Sequence, residues 1–278
     1  MQLFKKLRKM QKLSLEKISK DICSIPMLSR WENNNGHMDF YTTIKLFERI
    51  NISAEEYISL AKIDPKDEIA LQIEQSLKKR DENALKNTAL KLLENFHNKN
   101  DLIDLDYASI ACALYFRLTH KNIFPIADQN KLNQQLSKIT IWSKEYLSLF
   151  SNIIPIVSPR IIFQVSSQVI ENIDFCRNAG DETLHFACIT LLEAVIGLFR
   201  LNSYSYARTL LLQLNQISLP DRETQVIIGR QFLNGLIDYH QSQDSSKVTR
   251  IIDFLFEIGL KQTGEHYSTI FKELQRQN

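Results

Sequence analysis

The residues best suited to contact a nucleic acid lie between positions 24 and 33, which read SIPMLSRWEN. The guanidinium of Arg30 is the group there that can donate two parallel hydrogen bonds to O6 and N7 of guanine. On a helix, Leu28 and Trp31 are three residues apart and share one face. If that face is buried, the opposite face consists of Ile25, Pro26, Ser29, Arg30 and Asn33. The spacing therefore predicts a helix that directs one arginine and several small side chains toward a major groove.

Short helices with clear start signals would hold this stretch in place. The pattern predicts helices over residues 2–12, 15–20 and 25–32, a fourth after Asp39 and a fifth after Ser53. The expected N-cap residues are Ser14, Ser24, Asp39 and Ser53, and Pro26 lies in the first turn of the third helix, where a missing N–H does no harm. A short turn at 21–23 joins the second and third helices, which is the helix-turn-helix plan.

Basic residues are concentrated in this part of the chain. Residues 1–62 contain eleven Lys or Arg against seven Asp or Glu, whereas the remainder has a small excess of acidic residues. Such an asymmetry is typical of a polyanion-binding head on a neutral body. A lysine-rich helix face that meets only solvent would give the same count, so charge alone leaves both interpretations open.

Residues 1–60 resemble the lambda-repressor/Cro-like helix-turn-helix domain, most specifically in the Ser-Arg-Trp-Glu tract at 29–32 and the two asparagines after it. The resemblance implies a buried ion pair between Arg8 and Glu32, because an unpaired buried carboxylate would cost about 3–5 kcal/mol. It also implies contacts with a double-stranded DNA operator through Ser14, Lys17, Ser24, Ile25, Pro26, Ser29, Arg30 and Asn33. Ile25 and Pro26 replace the polar residues usual in this family, so we expect modest direct readout supplemented by DNA shape. A helix-turn-helix kept only for docking or dimerisation is the alternative.

The scarcity of chain-breaking residues indicates that the rest of the chain is helical as well. There are seven Gly and six Pro among 278 residues. Pro65 marks a linker at 63–67 between a head, 1–62, and a second domain, 68–278. Helices are predicted over 66–78, 82–97, 104–119, 128–136, 139–152, 158–177, 181–202, 204–215, 221–242, 245–259 and 263–276. We therefore expect an all-α protein.

A weak internal repeat relates residues 191–214 to 232–255. Ala194 corresponds to Gly235 and Ala207 to Val248, so that small residues stand where paired helices would cross. The pattern predicts a tetratricopeptide-like, right-handed helical-repeat domain with a concave side suited to a short extended peptide. Asparagine amides suit such a site because each can donate to and accept from a peptide backbone. An irregular helical bundle is the alternative.

The chain as a whole resembles the Rgg/GadR/MutR family of Gram-positive transcription regulators, part of the wider group of peptide-pheromone receptors. Besides the head, the stretches that carry the resemblance are YLSLFSNIIPIVSPRIIFQVSSQVIEN at 146–172, LLEAVIGLFRLNSYSYARTLLLQLNQI at 191–217 and FLNGLIDYHQS at 232–242. The resemblance implies that the second domain forms a homodimer and binds a short, largely apolar peptide. The LFSN tract resembles the family's Leu-Phe-Gly-Asn, which makes Asn152 the preferred peptide contact. The further candidates are Arg160, Asn202, Asn234 and Tyr239.

No pattern in the sequence indicates catalysis, a cofactor or a metal. It contains no GxSxG, HExxH, GxGxxG or P-loop motif, and its six histidines lack metal-ligand spacing. The four cysteines form no CxxC pair, and the apolar stretch 184–201 contains His185 and Glu193, so we expect a cytoplasmic protein without a membrane span. The prediction is a non-enzymatic, dimeric, DNA-binding regulator that responds to a peptide. The alternatives are a helical scaffold with a non-specific DNA-docking head, and a DNA-binding regulator without a peptide ligand.

Overall fold

The computed structural model describes residues 2–61 and 68–277, and within them regular structure is helical, with no strand. The chain divides into two compact units, Met1–Glu68 and Ile69–Asn278. The linker predicted at 63–67 lies outside the described residues. Each unit has its own hydrophobic core, and the two cores share no residue.

Residues 2–61 contain five helices, and the side chains expected to start the second to fifth of them do so. The helices are α1 (Gln2–Met10), α2 (Leu15–Ser19), α3 (Ile25–Glu32), α4 (Phe40–Arg49) and α5 (Ala54–Ala61). The side chains of Ser14, Ser24 and Asp39 each accept a hydrogen bond from a backbone N–H in the first turn. Ser53 and Glu56 form the reciprocal capping box at the start of α5. Helix α1 ends two residues earlier than predicted, because Lys12 takes a left-handed backbone conformation with φ 56°.

Aromatic side chains hold the first unit together. Phe4 of α1 meets Trp31 of α3 edge-on, with ring centroids 5.0 Å apart. Phe47 of α4 stacks on Tyr57 of α5 at 4.3 Å. Each of these four residues is at most 6% exposed. Phe4 also lies 6.1 Å from Phe47, so these ring contacts connect α3 through α1 to α4 and α5.

Within residues 68–277, twelve α-helices and one short 3-10 helix are described. They are α6 (Glu68–Lys78), α7 (Glu82–Lys99), α8 (Leu102–Thr119), α9 (Ile126–Leu136), α10 (Lys144–Ile153), the 3-10 helix (Ile154–Ile156), α11 (Pro159–Glu171), α12 (Ile173–Asn178), α13 (Asp181–Arg200), α14 (Tyr204–Asn215), α15 (Thr224–Ser242), α16 (Ser246–Glu257) and α17 (Lys261–Gln277). The predicted helices recur with shifted ends, apart from two larger differences.

The two differences have local causes. The helix predicted over 158–177 is two helices, because Asn172 leaves helical geometry with ψ 16° and its Nδ2 donates to the backbone oxygen of Gln168. The helix predicted from residue 139 begins instead at Lys144. Its N-cap is Ser143, whose Oγ accepts from the backbone N–H of Tyr146.

Helix α13 lies at the centre of the second unit. It packs against α10, α11, α12, α14, α15, α17 and the 3-10 helix. Between Ala187 and Phe199, every residue except Ile189 and Glu193 is buried. Although α13 is long and apolar enough to cross a membrane, 72% of its apolar window is buried, as in the core helix of a soluble protein.

The internal repeat corresponds to two consecutive helix pairs. The first pair is α13 with α14 and the second is α15 with α16, and the helices within each pair pack on each other. Ala194 and Ala207 are fully buried, as is Val248. A Cβ added at Gly235 would lie 3.1 Å from Cγ2 of Val248, which accounts for the small residue at that crossing.

Candidate functional site

The first candidate site is the outer face of α3. Leu28 is fully buried and Trp31 is 5% exposed, whereas Ile25 is 44% exposed. Arg30, on the same outer side, is exposed, and its Nε makes one long hydrogen bond to the backbone oxygen of Pro26 at 3.4 Å. Of the other residues predicted to contact DNA, Ser14, Lys17, Ser24, Pro26 and Asn33 are exposed and Ser29 is half-buried. The face expected to be exposed is therefore accessible to a ligand.

A buried ion pair ties this face to α1. Nε of Arg8 donates to Oε1 of Glu32 at 2.6 Å, and a terminal nitrogen donates to Oε2 at 2.7 Å. The other terminal nitrogen donates to the backbone oxygen of Leu13. The hydrogen bond to Glu32 raises the pKa of Arg8, although desolvation acts to lower it. Two parallel bonds fix both angle and distance, so α3 cannot rotate on α1 without breaking them.

Basic side chains of α1 surround the C-terminal end of α3. A shallow cavity beside Asn33 is lined by Gln2, Lys5, Lys6, Lys9, Met10 and Glu32 as well. Nζ of Lys5 donates to Oδ1 of Asn33 at 2.7 Å, and Nδ2 of Asn33 donates to the backbone oxygen of Ser29 at 2.8 Å. Lys5 was not among the predicted contacts, although its position in the basic run of α1 was a signal that could have identified it. This surface suits anionic phosphate oxygens.

The second candidate site is a groove in the second unit, beside the partly buried residues Ile189 and Glu193 of α13. A cavity of about 230 Å³ there is lined by Ile189, Leu192, Glu193, Ile196, Gln225, Gln262, Thr263, His266 and Tyr267. These residues come from α13, α15 and α17. Ile189, Glu193, Ile196 and Arg200 recur at helical spacing, and Glu193 and Arg200 are the charged members of that row.

Charged groups in this groove influence one another. Glu193 lies 3.8 Å from Nε2 of His266, and Nε of Arg200 donates to Glu273 of α17 at 2.9 Å. Desolvation acts to raise the pKa of Glu193, but His266 and the guanidinium charges of Arg200 and Arg117 outweigh it, so that the pKa lies below its usual value. Glu193 is therefore ionised at neutral pH. In the sequence, this groove was indicated only by the position of the charged residue Glu193 inside a long apolar helix.

The predicted peptide contacts lie on different elements. Asn152 is on α10, where its Nδ2 donates to the backbone oxygen of Ser148 and its Oδ1 accepts no hydrogen bond from a described residue. Arg160 is exposed in the first turn of α11. Asn152 thus keeps one polar atom available, and Arg160 keeps its charge in solvent.

The other three predicted contacts are engaged within the fold. Asn202, in the turn after α13, accepts from the hydroxyl of Tyr204. Asn234 of α15 accepts from Nδ2 of Asn215 on α14 and donates to the backbone oxygen of Arg230. Tyr239 is 9% exposed, and its ring meets Phe271 edge-on at 5.0 Å. Of the five, Tyr239 is the most buried, and its contact with Phe271 gives it a packing role within the fold.

Comparison with known proteins identifies similar chains. The model of a family described as HTH-type transcriptional regulator Rgg, C-terminal domain, matches residues 71–269. A search of curated proteins found no match.

Several solved structures have the same fold. The SHP pheromone receptor Rgg2 of Streptococcus dysgalactiae has a TM-score of 0.75 at 13% identity, over 98% of each chain. A putative transcriptional regulator from Listeria monocytogenes has a TM-score of 0.75 at 16% identity, over 99% of this chain and 96% of that one. The PrgX/cCF10 complex has a TM-score of 0.69 at 14% identity, over 99% and 92%. These comparisons confirm the all-α fold predicted from the sequence.

Proposed function

Because this chain belongs to the Rgg family of HTH-type transcriptional regulators, we propose that it is a cytoplasmic, homodimeric regulator that binds operator DNA and a short, largely apolar peptide. The first unit would bind DNA through the outer face of α3. The second unit would bind the peptide in the groove over α13. A peptide changes the activity of such a protein only if it binds one conformation of the dimer more tightly than another.

The observation that carries the DNA-binding proposal is the exposure of Arg30 on a helix whose opposite face is buried. In a helix-turn-helix dimer, two such helices enter successive major grooves about one helical turn apart. Arg30 would donate to O6 and N7 of one guanine in each half-site. Ile25 would contact a thymine methyl, while Ser14, Lys17, Ser24 and Asn33 would lie near phosphates.

We expect Arg30→Ala to weaken binding to the selected operator by about 1–3 kcal/mol, with the loss concentrated at one base pair of each half-site. The operator would be selected from a random duplex library with the full chain, and affinities would be measured against every single-base variant. Lys17→Ala is the matched control. Lys17→Ala should weaken binding to all sequences alike, since a phosphate contact carries no sequence information. It should also reduce the slope of the logarithm of the binding constant against the logarithm of the salt concentration by about 1.

A different result would favour the alternative function. If selection yields no preferred sequence, and Arg30→Ala and Lys17→Ala have the same sequence-independent effect, the first unit docks on DNA without reading it. The chain would then be a helical scaffold with a non-specific head.

The peptide-binding proposal is supported by the groove over α13 and by the similar proteins. Rgg2 is described as a pheromone receptor, and PrgX is described in complex with cCF10. In this chain, the lining of the groove combines apolar side chains such as Ile189 and Leu192 with polar ones such as Gln225 and His266, as ligand sites usually do. The open Oδ1 of Asn152 would accept a hydrogen bond from a peptide N–H.

Titration of the full chain with synthetic apolar octapeptides by calorimetry tests this part. We expect saturable heat from at least one peptide, and Asn152→Ala should weaken that peptide by about tenfold, the effect of losing one hydrogen bond. If no peptide gives saturable heat while operator binding is intact, the regulator acts without a peptide ligand.

A further inference from the structure

Helix α16 presents one side to solvent. Val248, Ile252 and Leu255 are buried, and the helix packs on α15 and α17. The opposite side, which we call the α16 face, consists of exposed residues that recur every three or four positions. They are Ser246, Thr249, Arg250, Asp253, Phe254 and Glu257. These residues line one shallow cavity of about 600 Å³ and therefore form a continuous surface.

Apolar side chains are concentrated at the C-terminal end of the α16 face. Phe254 is 47% exposed, and Phe256, Ile258 and Leu260 are each at least 41% exposed. Within the described part of the second unit, no other seven-residue segment has as many exposed large apolar side chains. The ring of Phe256 rests on α17, since a Cβ added at Gly264 would lie 3.1 Å from its Cζ. Exposed apolar surface of this density is typical of a protein–protein interface.

The α16 face also carries two opposite charges that the fold leaves unneutralised. Arg250 and Glu257 are seven residues apart, which is two helical turns and a rise of about 10.5 Å. Lys247, on the same helix, pairs with Asp238 at 2.6 Å. Arg250 and Glu257, in contrast, have no ion-pair partner among the described residues. Both charges are therefore available to a partner molecule.

A second copy of the same face fits this arrangement of charges. If two α16 helices pack antiparallel about a two-fold axis near Phe254, Arg250 of each copy lies opposite Glu257 of the other. Parallel packing would instead place each charge opposite its own kind. The face is therefore self-complementary in one orientation, which a patch of a single charge would not be.

We propose that the α16 face is the surface through which two copies of this chain form a homodimer, with the two α16 helices antiparallel. The inference rests on the homodimeric state proposed above and assigns that state to one helix. Phe254 would supply the apolar contact near the two-fold axis, and the Arg250–Glu257 pairs would fix the orientation. Asp253 lies about 100° from Phe254 around the helix and would stay at the solvated edge.

Charge reversal in the full chain tests the pairing. Arg250→Glu and Glu257→Arg should each raise the dissociation constant of the dimer at least about tenfold, because each creates two like-charge contacts per dimer. An equimolar mixture of the two variants should dimerise like the unchanged protein, since both contacts of the mixed dimer then join opposite charges. Sedimentation velocity over a concentration series measures the dissociation constants, and native mass spectrometry identifies the mixed dimer by its mass.

Recovery on mixing separates a lost contact from a folding defect, because a misfolded variant would not be rescued by another. The double variant Arg250→Glu, Glu257→Arg supplies the same check within one chain and should dimerise normally.

The apolar part of the surface has its own test. Phe254→Ser should raise the dissociation constant at least about tenfold, as loss of a central aromatic contact does at interfaces. Phe175→Ser is the matched control, because Phe175 is an exposed phenylalanine of α12 and lies outside the α16 face. The control should leave the dissociation constant unchanged.

Three outcomes would overturn the assignment, each with a different meaning. If the unchanged chain is a monomer at every concentration, the homodimeric state itself fails and the assignment fails with it. If the chain dimerises but Phe254→Ser behaves like Phe175→Ser, the dimer forms through another surface. If the charge reversals weaken the dimer and mixing does not restore it, Arg250 and Glu257 do not face each other across a two-fold axis.

Discussion

Asp106 of α8 is a half-buried carboxyl with an incomplete set of partners. Nε2 of Gln135 on α9 donates to its two oxygens at 3.0 and 3.1 Å. Desolvation raises the pKa of Asp106 to about 6, and the Gln135 hydrogen bond offsets only part of that effect. Oε1 of Gln135 is buried without a partner among the described residues. Burial therefore favours the protonated form of Asp106 up to a higher pH than in an exposed carboxyl.

The raised pKa makes stability depend on pH at this position. The folded pKa lies above the unfolded value, so the contribution of Asp106 is fully present below the unfolded pKa of about 3.9 and is lost as pH rises through about 6. We expect Asp106→Asn to remove this loss and to raise the free energy of unfolding at about pH 7.5 by about 1–2 kcal/mol, since the neutral amide has no charge to desolvate at any pH.

Urea denaturation of the full chain at about pH 4.5 and about pH 7.5 measures this effect. The stability difference between Asp106→Asn and the unchanged protein should be larger at the higher pH. Asp253→Asn, at an exposed carboxylate of α16, serves as control and should show no pH-dependent difference. A gain from Asp106→Asn that is the same at both pH values would contradict the assigned protonation.

Helix α13 is placed by close contacts that require small residues. A Cβ added at Gly197 would overlap Cγ2 of Ile154 in the 3-10 helix after α10. Cγ2 is bonded directly to the branched Cβ of Ile154, so it can move away only if χ1 leaves its position, and χ1 is restricted in β-branched residues. Gly197 therefore sets how closely the 3-10 helix, and Asn152 just before it, approach the row of residues that lines the groove.

We expect Gly197→Ala to destabilise the protein by about 1–2 kcal/mol, because overpacking outweighs the gain in helix propensity of about 0.5–1 kcal/mol. In an Ile154→Ala background the same substitution should be neutral or stabilising. The four proteins of this double-mutant cycle would be compared by urea denaturation. An equal cost of Gly197→Ala in both backgrounds would show that Ile154 is not what excludes the methyl group.

At the scale of the whole chain, the two separate cores imply that the two units can unfold independently. The core of the first unit contains Phe4, Trp31 and Phe47, and its buried ion pair joins Arg8 to Glu32. The core of the second unit is built around α13. Local stability measured along the chain should therefore change separately in the two units.

Glu32→Gln should leave Arg8 buried without a countercharge and destabilise the first unit by about 3–5 kcal/mol. Hydrogen exchange followed by mass spectrometry on the full chain should show lost protection within residues 2–61 and unchanged protection within 68–277. Glu48→Gln is the control, since Glu48 is an exposed residue of α4, and it should leave both units unchanged. Loss of protection across both units would mean that the chain unfolds as one cooperative body.

The parts of the fold that were predictable from sequence depend on local chemistry. Ser24 and the Ser53–Glu56 capping box have signals within three or four residues, and both start helices as expected. The break at Asn172 was missed because the apolar spacing continues across it on both sides. The influence of Arg117 and Arg200 on the pKa of Glu193 could not be predicted from sequence, because it depends on how the helices pack around α13.

Amide side chains show the same limit at the candidate site. Asn152 and Asn234 have the same donors and acceptors, and sequence alone treats them alike. In the fold, Asn234 bonds to Asn215 across two helices, whereas Oδ1 of Asn152 stays open. Which asparagine can meet a ligand is decided by its neighbours in space.

The near-complete enclosure of α13 restricts which of its side chains can vary. Substitutions at most positions between Ala187 and Phe199 disturb the interior, whereas Ile189 and Glu193 are only partly buried and Arg200 is exposed. If the proposed peptide site is correct, a change of ligand without loss of folding would therefore come chiefly through these three residues. Under that proposal, ligand preference among related chains should follow the identity of the three residues more closely than overall sequence divergence.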